Sequence, residues 1–170
     1  MSWFVIQILI SELTFALTSL VCLSGAAVFE KYPNLSKTTI ISAGVSFSLL
    51  VSVIWFSELY SNLEYRTRDQ VFAFVFYSVF LSIFLMHTSL LLLIKSRHDL
   101  VEKSRISTIG ASGLLTLILC FFVQSIFSGG FYSSGMDFLY RLMGVLGILS
   151  VAGTIATLIL NVYFKKTEGE

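Results

Sequence analysis

Four side chains able to do chemistry stand where apolar residues are the rule: Glu12, His87, Gln124 and Arg141. Ionisable groups in long runs of Leu, Ile, Val and Phe are costly to hold in hydrocarbon, so they are functional candidates by default. Glu12 lies about 13 Å along a helix from Trp3 at ~1.5 Å per residue. It shares a helical face with Ala16, Ser19 and Ala26, which predicts a carboxylate turned into a helix bundle. Gln124, Glu58 and Arg141 are expected at the same end of that bundle. Arg141 stands soon after a helix start, where positive charge opposes the helix dipole and a carboxylate partner is expected. Asp137 is the local partner, and Glu12 or Glu58 the tertiary one. These residues suggest an outward-facing polar pocket of Glu12, Gln124 and Arg141, with His87 further in, binding a small ligand, an ion or a lipid head group. The plainer alternative has Glu12 protonated or paired and Arg141 snorkelling to the interface.

His87 suits a proton relay or a structural hydrogen bond. A membrane haem needs two histidines facing each other from different helices. The second one, His98, follows the same apolar run, and Met86 as a ligand would point another way. No haem, and no other cofactor or metal, is expected. The chain holds no GxSxG, HExxH, phosphate-binding glycine loop or carboxylate cluster, no lysine inside an apolar run, and no serine beside an evident base. Enzymatic chemistry is therefore not expected. Cys22 and Cys120 both lie in apolar runs at different expected depths, which argues against a disulfide.

The elements that position these residues are five apolar stretches, centred on residues 71–94, VFAFVFYSVFLSIFLMHTSLLLLI. A 24-residue helix is roughly 36 Å long, enough to cross a hydrocarbon core of ~30 Å with some tilt. The other spans are expected at about 3–29, 39–60, 106–128 and 137–164. Ser36, Thr38 or Thr39 are cap candidates for the second, Gly129 and Gly130 close the fourth, and Ser134-x-x-Asp137 opens the fifth with capping-box spacing. The first span lacks a basic n-region and outruns a signal-peptide core, so a retained span is expected. With 56% hydrophobic and 12% charged residues, the chain lacks the polar surface of a soluble domain, which carries about 25% charge. Spans and loops fill the length as a single membrane domain over 1–170. A net charge of +1 points to no nucleic-acid partner.

Basic residues set the expected orientation. Lys31, Lys37, Lys95, Arg97, Lys103, Arg105, Lys165 and Lys166 fall on one side, and Arg66, Arg68 and Arg141 on the other. The richer side is expected in the cytoplasm, with the N-terminus outside and the C-terminus cytoplasmic.

Lipid tails do not drive helices together, so contact faces are expected as rows of small, weakly polar residues. Thr108, Ser112, Thr116, Cys120, Gln124 and Ser128 form such a row in the fourth span, and Thr14, Thr18, Cys22 and Ala26 in the first. Gly44, Ser48 and Ser52 form one in the second, and the fifth is rich in Gly144, Gly147, Ser150, Gly153 and Thr157. Each four-residue step drifts about 40° around the helix, so such rows mark ridges for crossing helices. In the third span Ser78, Ser82 and Ser89 lie on one side and His87 roughly opposite. The expectation is an all-α integral membrane protein, an antiparallel bundle of five transmembrane helices in the cell membrane. Its expected partners are the lipid bilayer and a second membrane protein or further copies of itself. A non-enzymatic accessory or interaction subunit is the leading function, and a small transporter or channel built around Glu12 the alternative.

Overall fold

The computed structural model describes residues 3–94, 98–127 and 136–167. The described residues form six helices: α1 (Trp3–Ala27), α2 (Pro33–Trp55), α3 (Ser57–Ser61), α4 (Tyr65–Leu93), α5 (Asp99–Phe127) and α6 (Met136–Thr167). All but the five-residue α3 are long and apolar enough to cross a membrane. Large apolar side chains stay exposed along them, among them Leu13, Phe15, Leu117, Ile148 and Val162, each above 60%. A bilayer is the solvent that suits such a surface, because each long helix closes its backbone hydrogen bonds within itself.

Several boundaries differ from those read in the sequence. The second span, expected at 39–60, begins at Pro33 and ends at Trp55. Pro33 occupies the first helical turn, where a missing N–H costs nothing, and Tyr32 stands at the N-cap without a side-chain cap. Ser36 and Thr39, expected as caps, are instead buried inside α2, and the Thr39 hydroxyl donates to the Leu35 carbonyl at 2.8 Å. The helix expected over 71–94 starts at Tyr65, and that over 106–128 starts at Asp99. Much of the expected loop before Ile106 is thus helical, with Asp99 and Glu102 in a first turn that favours negative charge. Lys95, Arg97, Ser128, Gly129, Gly130 and Ser134 lie outside the described residues.

The chain divides into two compact units, Met1–Met86 and His87–Glu170, each with its own packing; α4 contributes to both. In the first unit α1 and α2 fold back on each other as a helical hairpin. Gln7 Nε2 donates to the Ile54 carbonyl (2.8 Å) and the Trp55 indole donates to Ser11 Oγ (3.0 Å) at one end. Phe15 meets Phe47 edge-on in the middle, and Gly25 nears Thr39 at the other end. A Cβ at Gly25 would stand 3.1 Å from Thr39 Cβ and 3.3 Å from Ile40 Cγ1, a tight fit that would require these neighbours to give by a few tenths of an ångström.

In the second unit α5 and α6 pair in the same manner. Ser104 meets Thr157 (2.9 Å), Gly153 lies against Thr108, and Phe122 meets Tyr140 edge-on. His98, just before α5, stacks flat on Phe164 with ring centroids 3.6 Å apart.

Candidate functional site

The polar side chains inside each unit fall into small hydroxyl networks. Many Ser and Thr hydroxyls in the spans donate to the carbonyl four residues back, as Thr14 does to Ile10 and Thr18 to Thr14, both at 2.8 Å. That bond is the cheapest way to satisfy a hydroxyl in hydrocarbon. Ser42 and Ser46 turn instead towards α4, each 2.8 Å from Ser82 Oγ. The Ser82 hydroxyl itself donates to the Ser78 carbonyl at 2.9 Å. A hydroxyl has one proton and two lone pairs. Ser82 therefore accepts from both Ser42 and Ser46, and its capacity is full. The small-residue pattern puts Ser78 and Ser82 on one face of the third span, but carries no sign of the α2 partners of Ser82.

The same counting fixes the second unit. Thr154 donates to the Ser150 carbonyl (2.8 Å), and His87 Nε2 stands 2.8 Å from the same hydroxyl, donating to it in the tautomer protonated at Nε2. Thr157 donates to the Gly153 carbonyl (2.7 Å) and accordingly accepts from Ser104. Nearby, Arg105 Nη1 donates to the Ile94 carbonyl at 3.1 Å, capping the end of α4. Its side chain is only 14% exposed, and its contact with Glu102 is long, at 3.9 Å. Counting positive charge treats Arg105 and Lys103 alike, yet Lys103 holds an exposed Asp99 on its own helix.

Glu12 is exposed on α1 in the first unit; Gln124 and Arg141 are exposed in the second. Glu12 does not turn inward as expected. The buried residues of α1, Thr14, Val21, Ser24 and Gly25, lie about 120–220° around the helix from it at ~100° per residue. Of the expected contact rows, Thr108 and Ser112 are buried, Thr116 and Cys120 half-buried, and Gly44 and Ser48 exposed, with Ser52 between. The buried side of α2 carries Ser36, Thr39, Ser42, Ala43 and Ser46.

One cleft of about 190 Å³ opens in the first unit, lined by Leu17, Leu20, Leu50, Val79, Ile83 and Met86 together with Thr14, Thr18, Ser46 and Ser82. The hydroxyls in its wall are already bonded within the protein. The wall is thus apolar in effect, and no charged side chain reaches it. Among the described residues, no three His, Cys, Asp or Glu side chains come together as metal ligands would. No family model matches the chain, and neither does any curated protein or solved structure.

Proposed function

We propose that this chain is a non-enzymatic membrane protein, an accessory subunit that works by packing against other membrane components. In this reading its five spans form an antiparallel bundle in the cell membrane, with the N-terminus outside and the C-terminus in the cytoplasm. The observation that supports it is how the interior polar groups are spent. Ser82, Thr154 and Thr157 each use their proton and accept from a neighbour, which binds helix to helix. An interior of that kind stabilises a scaffold, and the faces left over for work are the outer ones. Transport would instead need a polar path, and the cleft of the first unit is lined as an apolar one.

The test is extraction at native expression level in mild detergent. A tagged chain should bring down a second membrane protein at a molar ratio unchanged by salt or detergent. A chain that comes away alone overturns the proposal. So does ion or solute flux in vesicles holding this protein alone, if Glu12→Gln abolishes that flux.

A further inference from the structure

We infer that the outward face of α1 centred on Glu12 is an assembly face for a partner helix carrying a Lys or Arg within the membrane. This rests on the accessory-subunit reading and names the chemistry of its partner. Glu12 is the tenth of 25 residues in α1, so it lies only about 5 Å along the axis from the helix midpoint. With the midpoint of α1 at the centre of a ~30 Å hydrocarbon core, Glu12 lies roughly 10 Å below the head groups, deeper than a lipid amine sits. Within the first unit Lys31, Lys37, Arg66 and Arg68 all stand at helix ends or in the turn before α2, away from that level.

The face around Glu12 fits a close helix. Val5, Ala16, Ser19 and Leu23 lie within about 40° of it around α1, on the side away from its buried residues Thr14, Val21, Ser24 and Gly25. Ala16 and Ser19, one and two turns on, are small enough to let a second backbone approach. An ionised carboxylate left in hydrocarbon is costly, and a cation at matching depth removes that cost. Charge complementarity also decides against a second copy docked through the same face, which would set Glu12 against Glu12.

The experiment uses the full chain in phosphatidylcholine vesicles with a synthetic single-span Leu/Ala helix bearing one mid-depth Arg, and matched helices with Leu or Glu there. Energy transfer between labelled protein and peptide reports association. The wild type should favour the Arg helix over the Leu helix at least tenfold, and disfavour the Glu helix. Glu12→Asp should keep most of the preference, and Glu12→Gln and Glu12→Leu should lose it. Equal association with all three helices overturns the inference, as does a preference that survives Glu12→Leu. Extraction of the tagged chain then distinguishes failure of this face from failure of the accessory role. If wild type and Glu12→Leu bring down the same partner equally, the accessory reading stands and this face is not its contact. If the wild type brings down none, both fall.

Discussion

Gly153 offers the sharpest test of the α5–α6 contact, because two effects of known size oppose each other there. A Cβ at this position would press on the Thr108 hydroxyl and stand 3.1 Å from Thr108 Cβ and 3.2 Å from its Cγ2. Thr108 cannot easily swing away, since its hydroxyl is bonded to the Ser104 carbonyl at 2.8 Å and the residue is 3% exposed. Replacing an interior helical glycine by alanine gains roughly 0.5–1 kcal/mol of backbone entropy. Forcing a methyl into a filled contact costs about 1–3 kcal/mol. The cost wins, and Gly153→Ala should destabilise the unit by about 1 kcal/mol. Gly144 is the control: a Cβ there meets nothing within 4 Å, so Gly144→Ala should be neutral or slightly stabilising. The assay is denaturation by sodium dodecyl sulfate in mixed micelles, read by a fluorescence pair on α5 and α6. A Gly153→Ala variant as stable as Gly144→Ala would refute the close contact and the packing drawn from it.

Ser82→Ala removes the acceptor of two interhelical bonds. At an average of ~0.6 kcal/mol for such a bond in a membrane, the loss should be about 1 kcal/mol, against almost none for the exposed Ser48→Ala; equal effects would show that the network does not hold α2 to α4. Arg105→Gln should destabilise the second unit more than Lys103→Gln, although each removes one positive charge, because only Arg105 caps the α4 end; matching unfolding curves would contradict this. A reporter that fluoresces only in the cytoplasm should light when fused after Lys166 and stay dark when fused before Trp3, and the reverse pattern would invert the orientation proposed from the basic residues.

The hydropathy of the chain marked where each long helix runs through hydrocarbon, and its edges missed the turns beyond. Tyr65 to Gln70 and Asp99 to Arg105 are polar, so they read as loops, yet they extend α4 and α5 into what the spans leave for the interface. Pro33 starts α2 for a local reason, its fit to the first helical turn, that the apolar pattern six residues later hides.

Contact faces were legible only in part. Along α5 the row of every fourth residue passes from buried Thr108 and Ser112, through half-buried Thr116 and Cys120, to exposed Gln124. Drift of about 40° per step carries it out of the contact. On α2 small residues occur on several sides, so Gly44 and Ser48 looked as suited to contact as Ser42 and Ser46. What separates them is Ser82, forty residues and thirty-six residues away in the chain. Pairings of that range leave no mark in local spacing. The outward direction of Glu12 was hidden for a related reason: its own face of α1 mixes Ala16 and Ser19 with Leu23, and only the position of α2 shows which side is inner.

Native mass spectrometry of complexes released gently from the protein's own membrane shows whether the chain travels with a partner. The predicted result is a single species whose mass equals this chain plus a second membrane protein at fixed stoichiometry. A spectrum showing only the lone chain or a homo-oligomer would contradict it.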